Sequence, residues 1–196
     1  MTIVFTNKKI FSIRIHGIGG QGVKSIANVI AKAALASGYH IQAFPEFGPE
    51  RRGAPVKAYV RISTEPILIR SLVRNPDFII LMEEKALAQE EVAKDCRSKD
   101  IFLLVNTTKT PQEINSQYSL AKDHHKIYCQ NAESWVKENN GKVHSSISII
   151  GYFMRITEII KLDEMKDVLR QEFLEKIGEE KMRITDKVLE ETYAQI

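Results

Sequence analysis

Only two cysteines, Cys96 and Cys129, occur in the 196 residues. They form no Cys-x-x-Cys pair, and two thiolates alone cannot hold an iron–sulfur cluster. A reduced, cytoplasmic protein is the expectation. No apolar run approaches the roughly 18 residues of a membrane span. Met1 to Lys9 carries no long apolar stretch ahead of a cleavage site, so no secretory signal is expected either. Charge of one sign is also scarce: 28 Lys+Arg against 25 Asp+Glu leave a formal +3. That balance gives no case for nucleic acid, and the aromatics follow no nucleic-acid module. Repeats, low-complexity tracts and long linkers are missing. So are a Ser/His/Asp order, a carboxylate pair and a metal-ligand cluster, and the sequence alone displays no complete active site.

What remains is ordinary globular material, 43% hydrophobic and 27% charged, sized for one domain with a real core. The chain turns on His16-Gly17-Ile18-Gly19-Gly20-Gln21-Gly22. Ile10 to Ile15 leads in as an alternating strand of which one face need be fully dry. Val23, Ile26, Ala27, Ile30, Ala31 and Ala34 then form one apolar helical stripe over roughly 23–37, with Gly38 as its stop. Tyr39 to Phe44 follows as a strand, completing a βαβ unit with parallel strands. Glycines at a helix N-terminus let backbone amides approach an anion or another chain; they also suit a tight βα corner.

Pro45 to Pro55 holds three prolines and two glycines and is expected to be irregular. Val56 to Ile62 and Pro66 to Leu72 are expected to pair as a hairpin through Ser63-Thr64-Glu65, which makes the sheet mixed. Phe78 to Met82 and Ile101 to Val105 are continuous apolar runs of buried strands, with a polar helix near Glu84 to Lys94 between them. Thr110-Pro111-Gln112-Glu113 reads as a capping box opening a short helix. A short strand over Lys126 to Gln130 and a helix over Asn131 to Lys137 come next. Beyond 144 the chain is helical: two adjoining apolar stripes through Ile147 to Ile160, a helix from Asp163 to Ile177, a stop at Gly178, and a last helix to Tyr193. The expected fold is a single α/β domain, a three-layer α/β/α arrangement with a mixed, mostly parallel sheet. Its core spans about 10–140 and a helical C-terminal segment about 144–194.

Gly17, Gly19 and Gly22 satisfy Gly-x-Gly-x-x-Gly, yet no acid closes the second strand to hold a ribose, because Glu46 follows Pro45 in the breaker region. A P-loop also fails. Val23 delays Lys24 and Ser25 by one position, and one helical residue turns a side chain by about 100°. Glu50, Arg51, Arg52 and Gly53 form the second constellation, in which guanidinium groups in a stiff loop can grip phosphate, carboxylate or an acidic partner, or Glu50 can pair internally with an arginine. His16 reads as a hydrogen-bonded packing residue, and His124 and His125 as solvated.

The glycine turn, the segment Gln42 to Val56 with its Glu-Arg-Arg-Gly-Ala-Pro core, Arg61-Ile62-Ser63, Asn75-Pro76-Asp77 and Val105-Asn106-Thr107 together carry a resemblance. The chain resembles the gamma subunits of pyruvate:ferredoxin (or flavodoxin) oxidoreductases, within the 2-oxoacid:acceptor oxidoreductases, from about Ile10 to the last helix. The Glu-Arg-Arg-Gly-Ala-Pro loop favours pyruvate over 2-oxoglutarate or indolepyruvate, and branched-chain relatives have similar loops. The resemblance implies a non-autonomous subunit of an enzyme that decarboxylates a 2-oxoacid on thiamine diphosphate, passes electrons through [4Fe-4S] clusters to ferredoxin or flavodoxin, and forms an acyl-coenzyme A. It places the thiamine and cluster motifs mainly on other subunits and assigns no cofactor firmly to this chain. Its implied partners are those thiamine-binding and ferredoxin-like chains, with neither nucleic acid nor membrane involved. It carries over Gly17, Gly19, Gly20, Gln21, Gly22, Glu50, Arg51, Arg52 and Gly53 as candidate cofactor-binding residues and names no catalytic or metal-binding residue. The rival reading from the glycine turn alone is a free nucleotide-binding regulatory module; a third is a purely structural subunit.

Overall fold

The structure, a computed structural model, describes residues 8–46, 54–98, 101–120 and 126–195. Strand β1 (Ile10–Ile18) leads through the glycine turn into α1 (Val23–Ala36). Strands β2 (His40–Pro45), β3 (Pro55–Ser63) and β4 (Phe78–Leu81) follow, then a 3-10 turn over Glu84–Ala88 and α2 (Glu90–Ser98). Next come β5 (Phe102–Asn106), α3 (Pro111–Tyr118), β6 (Ile127–Gln130), α4 (Ala132–Glu138), α5 (Ser146–Thr157) and α6 (Leu162–Ala194). The six strands lie in the order β2-β3-β1-β4-β5-β6. β3 is antiparallel to both neighbours and the other three pairings are parallel. The sheet is therefore mixed and mostly parallel, as expected.

The hairpin expectation is corrected. β3 pairs with β1 along its whole length, from Ile10 opposite Ser63 to Ile18 opposite Pro55, and its other edge takes β2. With both edges occupied it has none left for 66–72. That segment forms no regular element; Gln42 and Arg61 hold it instead, donating side-chain hydrogen bonds to the Ile69 and Ser71 carbonyls at 3.0 and 2.7 Å. β1 and β2 do run parallel, but β3 lies between them. Pro45 and Pro55 are not outside regular structure; they terminate β2 and start β3, positions where a missing amide donor is tolerated. The polar helix near Glu84 to Lys94 is broken at Gln89, whose extended backbone (φ −71°, ψ 128°) separates the 3-10 turn from α2.

Two cores cover the sheet. On one face α1, α5 and α6 pack on Ile13, Ile15, Val60, Ile62, Phe78 and Ile80. On the other, the 3-10 turn, α2 and α3 pack on Ile79, Leu81, Leu103 and Val105. This is the expected α/β/α layering. The two wide stripes of α5 are explained by depth: ten of its twelve residues are buried. Gly151 lets α6 approach so closely that a Cβ there would lie 2.0 Å from Thr192 Oγ1. α6 breaks at Gly178 (φ 78°, ψ 165°) and folds back on itself, with Arg170 reaching Asp186 at 2.5 Å and Lys166 bonded to Glu190. The Thr110 capping box forms with Pro111 in the first turn. No helix among the described residues is long and apolar enough to cross a membrane.

One face of β1 departs from expectation. Arg14 and His16 point away from the α1 core and yet are 0% and 1% exposed. Both faces of this strand are dry at its centre, where α2 supplies carboxylates for the arginine.

Candidate functional site

Ligands of open α/β sheets bind at the carboxyl ends of the strands, where successive connections leave on opposite faces. Here that point lies between β1, whose connection passes through α1, and β4, whose connection passes through α2. The glycine turn stands at it.

Each residue of the turn has a distinct duty. Gly17 is buried and has no room for a side chain: a Cβ would lie 2.6 Å from Val23 Cγ2, 2.8 Å from Gln21 Oε1 and 3.0 Å from Met82 Cβ. Gly20 has φ +102° and open space around it, so its conformation rather than its size calls for glycine. Gly22 caps α1 at φ +78°, and a Cβ there would sit 3.2 Å from the His144 ring. Gln21 closes the turn, accepting the Ile18 N–H at 2.9 Å through Oε1 and donating to Glu83 at 2.7 Å through Nε2. Its side chain thus bridges the carboxyl ends of β1 and β4.

The second constellation meets the first at its feet. Gly19 N–H donates to the Ala54 carbonyl at 2.9 Å, and Gly17 stands opposite Val56. Glu46 N–H donates to the Lys57 carbonyl at 2.9 Å. Glu46 and Ala54, which flank 47–53, are therefore both fastened at the β1–β3 end beside the turn. Glu50, Arg51, Arg52 and Gly53 themselves lie outside the described residues, as do His124 and His125.

Beneath those feet runs a charged network that sequence reasoning did not find. Arg14 donates to Glu91 at 2.8 Å, to Asp95 at 2.7 Å, and through Nε to His16 Nε2 at 2.9 Å. Lys57 donates to the other Glu91 oxygen at 2.6 Å, and Glu46 accepts from the Tyr59 hydroxyl. Burial, reinforced by Arg14 and Lys57, lowers the His16 pKa to about 3. The ring is neutral, and because Nε2 accepts from Arg14 the proton sits on Nδ1. Nδ1 has no partner meeting hydrogen-bond geometry. His16 is a packing residue, as the sequence suggested, and no proton shuttle. For Glu91 burial pushes upward, but hydrogen bonding from Lys57 and the charges of Arg14 and Lys57 outweigh it and hold the carboxylate low. Tyr59 is pushed up by burial and by its bond to Glu46. The one available signal was the alternation Ser12, Arg14, His16 on a strand.

Glu46, the nearest acid to a ribose position, is engaged by Tyr59 and lies 3.9 Å from Lys57, which leaves it poorly placed for a sugar hydroxyl. At the β4–β5 end Glu84 accepts from Thr107 at 2.7 Å and Lys109 at 2.6 Å, while Asn106 ties Met82 to α4 through its side-chain amide. Burial raises Cys96 to about 11 and Cys129 to about 12, so both are thiols at neutral pH. No group of three or more His, Cys, Asp or Glu among the described residues could hold a metal ion.

Residues 12–193 match the family of pyruvate ferredoxin/flavodoxin oxidoreductases. The common gamma subunit of the pyruvate/ketoisovalerate oxidoreductases of Pyrococcus furiosus is 32% identical over 180 residues, 92% of this chain and 96% of that protein. Pyruvate synthase subunit PorC of Thermotoga maritima is 33% identical over 189 residues, 96% of each chain. The crystal structure of a Thermotoga maritima pyruvate oxidoreductase subunit superposes with a TM-score of 0.77 at 29% identity, covering 95% of this chain and 96% of that one. The fold also matches part of the 2-oxoglutarate:ferredoxin oxidoreductase of Magnetococcus marinus, with TM-score 0.73, 22% identity and 31% of that longer chain.

Proposed function

Because this chain belongs to the pyruvate ferredoxin/flavodoxin oxidoreductase family, we propose that it is the gamma-type subunit of a multi-subunit cytoplasmic pyruvate:ferredoxin (or flavodoxin) oxidoreductase. In this reading its glycine turn and Glu-Arg-Arg-Gly loop complete a catalytic centre that other subunits build. The observation carrying it is the fastening of both loop feet at one end of the sheet, Ala54 to Gly19 of the turn and Glu46 to Lys57 of β3, which stands opposite His16. The glycine turn and both feet of the Glu-Arg-Arg-Gly loop thereby share one end of the sheet. Arg51 and Arg52 supply bidentate donors for a phosphate or carboxylate, and the turn supplies a side-chain-free approach for a partner's backbone or cofactor. Two cysteines cannot furnish the four thiolates of a [4Fe-4S] cluster, so in this reading the clusters, like thiamine diphosphate, are held mainly by the partner chains. Coenzyme A and thiamine diphosphate both offer phosphates to such donors, and an acidic partner chain offers carboxylates.

The test is reconstitution. The chain alone should give no pyruvate-dependent viologen reduction, and adding thiamine-binding and ferredoxin-like partner chains should restore it, dependent on coenzyme A. Arg51→Ala and Arg52→Ala in the assembled enzyme should raise a Michaelis constant for coenzyme A or the 2-oxoacid. Unchanged Michaelis constants with weakened assembly would make the subunit purely structural. Turnover by the chain alone would end the subunit reading. Tight binding of NAD or ATP, with no partner recovered from cells, would favour the free nucleotide-binding module. Pyruvate should exceed 3-methyl-2-oxobutanoate in kcat/KM.

A further inference from the structure

Gly22 lines a cavity of about 330 Å³ on the helical side of the turn. The cavity lies between the first turn of α1, residues 141–147 and both limbs of α6. Its size is at the small end of ligand pockets, right for a metabolite rather than a dinucleotide.

The lining has two halves. Lys142, His144, Lys181 and Ser25 bring donors from three separate parts of the chain, and no carboxylate lines it. Phe173 and Ile177 are prominent in the apolar half. His144 is held for the purpose: its Nδ1 accepts the Ser146 N–H at 3.2 Å and stands 2.8 Å from Ser146 Oγ. With Nδ1 the acceptor, the neutral ring carries its proton on Nε2, which lies 3.9 Å from where a Gly22 Cβ would be. Glycine at 22 is what lets this ring edge reach the start of α1. Lys142 also pairs with Glu180 at 2.6 Å, on the exposed rim, so a bound anion would share that ammonium. The first turn of α1 has no side-chain cap and no acidic residue, so its amides add to the side-chain donors without being needed to define the site.

We propose that this cavity binds a small phosphate monoester with an apolar body. A dianion with three terminal oxygens matches two ammonium groups, an imidazole N–H and a hydroxyl better than a carboxylate does. The site shares Gly22 with the glycine turn, and none of the donors named here comes from the arginine loop.

The experiment is calorimetric titration of the full-length chain at fixed ionic strength with phenyl phosphate, inorganic phosphate and phenol. Phenyl phosphate should bind saturably, one per chain, at least about tenfold tighter than inorganic phosphate, because only it fills the apolar half. Phenol should not bind. Lys181→Gln and His144→Phe alter exposed side chains, and each should weaken phenyl phosphate about tenfold, the loss expected for one charged or ring-donated hydrogen bond. Lys181→Gln should leave the thermal midpoint unchanged, and His144→Phe, which gives up the hydrogen bond from Ser146, should lower it slightly. Arg51→Ala should leave this binding intact, which separates the result from the fate of the loop. Absence of saturable binding, equal affinity for phenyl phosphate and phenol, or indifference to both substitutions would overturn the proposal.

Discussion

Replacing Gly17 by alanine probes the joint on which the glycine turn depends. The new methyl carbon would lie 2.6 Å from Val23 Cγ2, 2.8 Å from Gln21 Oε1 and 3.0 Å from Met82 Cβ. These contacts come from the start of α1, from the turn itself and from the end of β4, so no single rotation relieves them. Met82 Cβ moves only with its backbone, whose N–H is bonded to the His16 carbonyl at 2.8 Å. Displacing Gln21 would also loosen its bonds to Ile18 and Glu83. Overpacking of this kind costs about 2 kcal/mol, which for a chain of this length lowers the thermal midpoint by about 4–8 °C. Gly20→Ala is the control: nothing lies within 4 Å, so only the φ of +102° is strained, at about 1 kcal/mol. Chemical denaturation of both variants, read by circular dichroism with co-purification of partner chains as a second readout, makes the comparison. Gly17→Ala should lose more stability than Gly20→Ala and retain less partner. Equal stability losses, or a neutral Gly17→Ala, would refute the claim that packing rather than backbone conformation selects glycine there.

Three further outcomes are expected. Arg14→Met takes the guanidinium from Asp95, whose side chain is 8% exposed, and should cost about 3 kcal/mol in urea denaturation, part of it recovered by Arg14→Met with Asp95→Leu. Between about pH 6.5 and 3 the unfolded chain binds a proton that the buried His16 ring refuses. Stability therefore falls as the pH drops through that window, by about 1.4 kcal/mol per unit, and His16→Gln should flatten the slope between pH 6.5 and 5. Gly151→Ala would drive a methyl group against Thr192 Oγ1 at 2.0 Å and the Leu189 carbonyl at 3.1 Å, and should separate α6 from α5 with a loss of about 3 kcal/mol. Hydrogen exchange should report that opening in 162–194.

Local chemistry carried much of this fold into the open. The α1 stripe is legible because a 3.6-residue period puts Val23, Ile26, Ile30 and Ala34 on one side. Thr110, Pro111 and Glu113 announce a helix start because capping is settled within four residues. Gly178 announces a break because its φ of 78° suits no other residue well. The continuous runs at 78–82 and 101–105 reveal strands covered on both faces. Illegible were the placement of β3 and the network around Arg14. Pro66 to Leu72 has a strand-like pattern, and only competition for the edges of β3 removes it from the sheet. Arg14 meets Glu91 and Asp95 across about eighty residues, and nothing near any of the three marks the meeting.

Read alone, then, the residues determine the kinds of element, the presence of two conformationally special bends, and the family resemblance those bends carry. Tertiary structure decided which bend meets which neighbour. Gly19 reaches Ala54 only because β3 runs antiparallel beside β1, and Gly22 meets His144 only because the segment before α5 packs across the start of α1. Periodicity and capping act over a few residues, whereas strand pairing and helix docking are settled between distant segments competing for the same edges and faces.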